Sequence, residues 1–501
     1  MATDASTRPV AAQETELVKG IGLTSATTLV MGSMIGSGIF IVSAEIARLT
    51  DSPALLIIAW LITGFMTVTG ALAYGELAAM MPRAGGQYVF LREAFGPLWG
   101  FLYGWTLFLV IQTGTIAAVG VAFGKFLGHF FPAISGDRWI LHVGSGNVGL
   151  NTQNLVAIIS IVLLTVVNFY GVRLGALVQN VFTFSKTAGL LGLVVLGAIV
   201  GRNAEALAAN FHDFWRHAGL GTQHNIGTTA APMLVSTLVV LAVAQIGSLF
   251  SADAWNNVTF TAAEVKNPKR NIPLALALGT GTVILLYVLA NVVYLTVLPL
   301  DGDPNATSVM GHGIKYATAD RVGTAVMQVM FGTLGASLMA VAILLSTFGC
   351  NNGLILSGAR VYYAMAKDGL FFRKAGELHP KYRTPVWALV MQCVWTSVLC
   401  LSGAYNDLLN YVIFAVLVFY VLTIAGLFRL RRTRPEAERP YKAFGYPVLP
   451  ALYIVMAIFI DAVLLLYKPL YSWPGLVIVL LGVPVYFLWS RTSAASARAR
   501  A

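Results

Sequence analysis

The stretch Gly32-Ser33-Met34-Ile35-Gly36-Ser37-Gly38-Ile39-Phe40 constrains this chain most, because it sets three glycines and two serines inside an apolar run from Leu23 to Ala47. A run of that length can cross a bilayer, which takes about 20 apolar residues. Glycine costs roughly 1 kcal/mol against alanine in a helix interior, so the stretch predicts a helix that breaks here. In hydrocarbon, a break survives only where its freed backbone groups are buried in protein or line a cavity. A mid-membrane pocket follows. The half-helix ending near Ser33 and Met34 offers free carbonyls to an ammonium. The half-helix starting near Ser37 and Gly38 offers N–H groups and a positive dipole end to a carboxylate. A glycine-rich packing face for a neighbouring helix is the plainer alternative.

The break recurs in a chain built almost wholly of such runs. Its 501 residues are 57% hydrophobic and 11% charged, where soluble proteins carry about 25% charged residues. Twelve spans are expected, near 23–48, 53–80, 98–126, 154–172, 176–200, 231–263, 272–299, 325–366, 385–403, 405–430, 447–467 and 473–490. Spans 3, 6 and 8 exceed what a bilayer needs and must tilt, break or protrude. The net charge of +11 is not a nucleic-acid footprint, since the charges lie in loops. With the N-terminus inside, 23 of the 32 lysines and arginines are cytoplasmic and 8 external, leaving Lys186 within span 5. That asymmetry places both termini in the cytoplasm of a multi-pass cell-membrane protein. The small basic tail from Ser493 to Ala501 reads as disordered.

Span 6 carries a second interruption, Gly247-Ser248-Leu249-Phe250-Ser251-Ala252-Asp253-Ala254-Trp255-Asn256-Asn257. An acid at a helix centre costs at least about 2.5 kcal/mol on insertion scales, so such residues face a cavity. Interrupted helices five spans apart are what two repeats of five spans would show, with the binding site between them. The expected divisions are a cytoplasmic segment 1–22, repeats 23–200 and 231–430, peripheral spans 447–490 and a tail 491–501. Lys186 is a further intramembrane charge, among Phe182, Phe184, Leu190 and Leu191. It needs a partner, or it snorkels to the cytoplasmic face.

Several motifs carry a resemblance. Besides Gly32 to Phe40, they are Tyr74-Gly75-Glu76-Leu77, Gly85-Gly86-Gln87-Tyr88, Phe95-Gly96-Pro97, Glu264-Val265-Lys266-Asn267-Pro268, Arg270-Asn271-Ile272-Pro273, Arg360-Val361-Tyr362-Tyr363 and Arg434-Pro435-Glu436. The chain resembles the amino acid–polyamine–organocation superfamily, nearest its L-type amino acid transporter branch, from about Lys19 to Leu488. The resemblance implies an all-α, five-plus-five inverted-repeat fold with two peripheral helices. It implies substrate contacts at Ser33, Met34, Ile35, Ser37, Gly38, Phe250 (the gate), Ser251, Asp253, Trp255, Asn256 and Phe414. Asp253 resembles branches that accept cationic as well as neutral amino acids, although it could instead turn away to bond helix ends. Lys186 matches a lysine that replaces sodium in related transporters, with the Gly32 carbonyl and the hydroxyls of Ser346 and Thr347 as partners. The implied function is sodium-independent amino acid transport, as exchanger or proton symporter. A polyamine transporter or a non-transporting amino acid sensor is the alternative.

No Gly-Lys-Ser/Thr phosphate loop or serine elbow is present, the histidines show no metal spacing, and neither an enzyme nor a cofactor is expected. Glu264, Lys266, Lys269 and Arg270 read as solvated loop charges or as a gate network with Glu76 or Arg83; Arg360 and Asp368 read similarly. Some relatives are joined by a disulfide to a single-span glycoprotein through the loop after span 3. Residues 127–153 contain no cysteine, so no such partner is expected.

Overall fold

The computed structural model describes residues 17–144, 148–218, 222–224, 233–402 and 405–498. The first half of the chain forms helices α1 (Leu23–Met34), α2 (Gly38–Thr50), α3 (Pro53–Met80), α4 (Gln87–Phe95), α5 (Pro97–Thr106), α6 (Gln112–Leu127), α7 (Thr152–Phe169), α8 (Val172–Ile199) and α9 (Ala204–Phe211). The second half forms α10 (Thr237–Ser251), α11 (Asn257–Phe260), α12 (Pro268–Val297), α13 (Val309–His312), α14 (Val322–Lys367), α15 (Val386–Leu399), α16 (Tyr405–Thr433), α17 (Val448–Tyr467) and α18 (Pro469–Arg498). Two small hairpins, β1 (Trp139–His142) with β2 (Gly149–Asn151) and β3 (Thr222–His224) with β4 (Met233–Val235), lie in the connections.

This is a polytopic all-α membrane protein. Among the described residues ten segments are long and apolar enough to cross a membrane, with the broken Leu23–Thr50 counted as one. α10 and α15 are shorter apolar helices standing where spans 6 and 9 were expected. The three overlong spans are irregular. Span 3 is α5 and α6 joined by a π-helical turn, Leu107–Ile111. Span 6 breaks after Ser251. α14 departs from helical geometry at Phe331 and Gly332, where Gly332 takes the positive φ of 63° that glycine alone adopts freely.

Two expectations are corrected. Span 6 does not begin at 231, because Met233–Val235 is a strand and helix starts only at Thr237. The tail is helical to Arg498 rather than disordered, in keeping with the strong helix propensity of its alanines. Residues 1–16 and 499–501 lie outside the described residues.

The helix packing has an internal order. α1 packs on α8 and α12, as α10 packs on α16 and α3. α6 touches α7, α15 and α16, as α14 touches α15, α7 and α8. α3 with α12, α6 with α14, α7 with α15 and α2 with α10 pair directly. Exchanging the first five spans for the next five therefore maps these contacts onto one another. The two broken helices are brought together at the centre of the arrangement.

Candidate functional site

The first break runs from Ile35 to Ser37, between α1 and α2. Each carbonyl from Gly32 to Gly36 finds a donor on another helix. Lys186 on α8 donates from Nζ to Gly32 O at 2.5 Å, to Ile35 O at 2.6 Å and to Ser346 O at 3.3 Å. The Ser346 hydroxyl lies 3.0 Å from both Ile35 O and Gly36 O. The Cys350 thiol donates to Ser33 O at 3.0 Å. The Tyr287 hydroxyl is shared between Met34 O at 3.0 Å and Ser251 O at 3.1 Å, which ties the ends of α1 and α10 together. A break away from water is tolerated only under such complete satisfaction.

Lys186 is 1% exposed, so it does not snorkel. Its third partner is the backbone carbonyl of Ser346, not the hydroxyl. Thr347 is not a partner: its hydroxyl turns back onto Ile343 O and Leu344 O of its own helix, as threonine commonly does mid-helix.

At the start of α2, Ser37 is the N-cap residue and its side chain makes no capping bond. Gly38 is pressed against Ser251, so that any Cβ there would collide with the Ser251 side chain and backbone. The two breaks are thus in direct contact. The Ser251 hydroxyl itself bonds Gly247 O at 2.8 Å.

Beyond α10 the chain leaves helical form through Asp253 and Ala254, the latter at φ 64°, before α11. Tyr420 on α16 donates to Asp253 Oδ1 at 2.6 Å. Asn256 donates to Gln87 Oε1 at 2.9 Å, while the Gln87 amide reaches Thr423 Oγ1 at 3.0 Å. Trp255 sits edge-on to Tyr74 at 4.8 Å and beside Tyr420 at 5.2 Å.

Two cavities of about 10 Å³ each flank this segment and share Asp253, Val416 and Tyr420. One is polar, with Gln87, Gln112 and Asn256 in its wall; the other is bounded by Thr67, Trp255, Ile413 and Tyr453. Each holds about one water, so a larger guest requires the packed elements to part. Asp253, Trp255 and Asn256 line these spaces, whereas Ser33, Met34, Ile35, Ser37, Gly38, Phe250, Ser251 and Phe414 are buried outside their walls.

Sequence reasoning missed Tyr287 and Cys350. Tyr287 had a readable signal. Tyr287, Asn291 and Tyr294 recur at helical spacing on α12 and reach Met34 O, the Ser43 hydroxyl and Ile39 O. Such a polar stripe on an apolar helix marks the side facing a broken neighbour.

Of the charges expected to be solvated, Lys266, Lys269, Arg270 and Asp368 are exposed, but Glu264 and Arg360 are not. Glu264 and Arg360 are 1% and 0% exposed and form a two-pronged pair at 2.9 and 3.1 Å. Buried Glu76 receives Arg431 at 2.9 and 2.6 Å and the Ala443 N–H at 2.7 Å. Asp368 accepts from Arg92, and from Tyr88 at 2.7 Å. All three pairs lie toward the face where α1 begins. On the face where α2 ends, Arg48 pairs with Asp320 at 2.7 Å, and Lys315 reaches Asp301 at 2.5 Å and also Asp51. Burial lowers the Lys315 pKa, but those two carboxylates outweigh it and hold the group above its ordinary value.

The family model for amino acid permeases matches residues 21–488. The human protein named large neutral amino acids transporter small subunit 2 is 32% identical over 477 residues, covering 94% of this chain and 80% of its own. The serine/threonine exchanger SteT of Bacillus subtilis (strain 168) is 29% identical over 477 residues, covering 95% and 98%. The mouse b(0,+)-type amino acid transporter 1 is 28% identical over 486 residues, covering 97% and 90%.

Proposed function

The chain belongs to the amino acid permease family, and we propose on that premise that it is a sodium-independent secondary transporter of amino acids. It works by alternating access, as an exchanger or proton symporter, with the pseudo-repeats 23–200 and 231–430 rocking about the two breaks. One observation carries the reading: the Lys186 ammonium lies on the carbonyls of Gly32, Ile35 and Ser346, joining α1, α8 and α14 through a cation that belongs to the protein. A resident cation there leaves no role for a bound sodium ion.

The substrate carboxylate is assigned to the N–H groups at Ser37 and Gly38, at the positive dipole end of α2. The ammonium is assigned to the carbonyls of Met34 and the α10 terminus, which Tyr287 bridges while the breaks are closed. Phe250 gates the substrate, and Asp253, Trp255, Asn256 and the α16 wall meet its side chain. Both termini face the cytoplasm of the cell membrane, as the basic-loop asymmetry requires. The protein acts without a disulfide-linked heavy subunit: the loop 127–153 has no cysteine, and Cys350, Cys393 and Cys400 lie in or at the ends of apolar helices.

The test is counterflow of labelled amino acids into proteoliposomes. Uptake is expected to be unchanged when choline replaces sodium; a strict sodium requirement would remove the reading of Lys186. Substrate competition in the same assay gives a second prediction. The polar wall around Asp253 favours a polar or cationic side chain, since a buried carboxylate pairs with a cation in low dielectric. Asp253→Asn is expected to lose competition by cationic amino acids at least about tenfold while neutral ones are kept, the loss of one charge-assisted bond. An identical profile would mean that Asp253 serves Tyr420 alone.

A further inference from the structure

The largest of the cavities described here lies away from the breaks, on the face where α2 ends. It measures about 260 Å³ and is lined by His129, Val309, His312, Ala317, Thr318, Arg321, Thr324, Ala325 and Gln328. A single water needs only roughly 10–15 Å³ by the same measure. Its floor is the N-terminus of α14, a 46-residue segment whose N-cap residue is Arg321. Its roof is the connection that carries α13.

Two groups in this cavity lack partners. Thr324, 5% exposed, has a buried hydroxyl with no hydrogen-bond partner. Arg321 has a buried Nε with none, no carboxylate partner among the described residues, and only a cation–π contact to Phe126 at 5.8 Å. An unpaired buried polar group is costly, and a guanidinium is built to take an oxyanion with two donors. The nearby acids are met by other cations, Glu45 lying close to Lys468 and Arg48. Asp320 is taken by Arg48 at 2.7 Å, while Lys125 lies close enough to feel both Asp320 and Arg321. Burial first, and then the nearby Arg321, hold His129 below the ordinary histidine pKa. The buried first turn of α14, with its N–H groups and positive dipole end, adds to the positive charge.

We propose that this cavity is a binding site for a small organic monocarboxylate. Arg321, the Thr324 hydroxyl and the first turn of α14 hold the carboxylate, and Val309, Ala317 and Ala325 cover a short apolar body. A monatomic anion would leave most of the space unfilled. The site is separate from the breaks and does not depend on the transport reading.

Thermal unfolding of the purified full-length protein in nanodiscs tests this, with propionate, alanine and chloride as sodium salts or in sodium buffer at equal ionic strength. Propionate is expected to raise the midpoint saturably. Arg321→Gln and Thr324→Val should each weaken its half-saturation at least about tenfold, the effect of one hydrogen bond to a charged group. An alanine shift that is weakened in both variants as well identifies the carboxylate of a free amino acid as a ligand of the same site. A propionate shift without one from alanine restricts the site to organic acids. Two variants at neighbouring positions guard against a folding defect in either. An equal shift from chloride, or a propionate shift unchanged in both variants, overturns the proposal.

Discussion

Lys186→Met is expected to slow counterflow at least about fivefold, in sodium and choline alike. The ammonium is the sole donor recorded on Gly32 O among the described hydrogen bonds, and it shares Ile35 O with the Ser346 hydroxyl. Removing it leaves carbonyls at the break facing an apolar thioether in a place that water does not reach. Each buried acceptor left without a donor costs about 1–3 kcal/mol. Gly32 O is the acceptor stranded outright, which shifts the equilibrium between the closed break and its alternatives by roughly 5-fold to 150-fold, at about 1.4 kcal/mol per tenfold. Lys186→Arg is expected to fail nearly as badly, because a planar fork does not converge on three carbonyls as a tetrahedral ammonium does. The measurement is exchange of labelled substrate in proteoliposomes, normalised to protein that remains monodisperse. Retention of half the wild-type rate by Lys186→Met would show that α1 keeps its broken form without this cation.

The features legible in the sequence were those that violate a local rule. Glycines and serines inside an apolar run, an acid with two asparagines in another, and a lone lysine in a third each cost energy where they stand, and each lies at or beside a break. The break positions near Met34 and Gly38 were readable for this reason. Features that obey local rules stayed hidden. Glu264 stands at a helix end and Arg360 about two turns from one, where charges are ordinarily solvated, and nothing in their surroundings announces a partner 96 residues away. Tyr287 and Cys350 look like ordinary residues of apolar helices, and only the packing of α12 and α14 against α1 turns them toward its carbonyls. The cavity walls were misplaced in the same way. Helical periodicity does not reveal which side of α16 meets the second break, and Tyr420 and Val416 face the cavities where Phe414 was expected.

The Glu264–Arg360 pair is the strongest candidate for a latch on the face where α1 begins. Arg360 Nε and Nη2 meet the two carboxylate oxygens, and Nη1 donates to Leu356 O at 2.6 Å, so the guanidinium is fixed on α14. The carbonyl of the same Glu264 accepts the N–H groups of Gly20 and Ile21 at 3.0 Å each, and Lys266 N–H returns to Ile21 O at 2.8 Å. The segment leading into α1 is therefore held by the very residue whose side chain is held by α14. Under the alternating-access proposal, the half-helix α1 would have to break both contacts to swing. Breaking a buried pair by removing one partner costs about 3–5 kcal/mol, since the other charge is left uncompensated, whereas replacing both with apolar residues of similar volume is often neutral. Glu264→Leu and Arg360→Met are each expected to lower stability by that amount, and the double variant to recover most of it. The cycle is read from denaturant unfolding of the purified protein, where coupled neighbours depart from additivity. Additive losses in the double variant would mean that the two side chains stabilise the protein independently. Recovered stability with faster exchange would mark the pair as the contact that transport has to open.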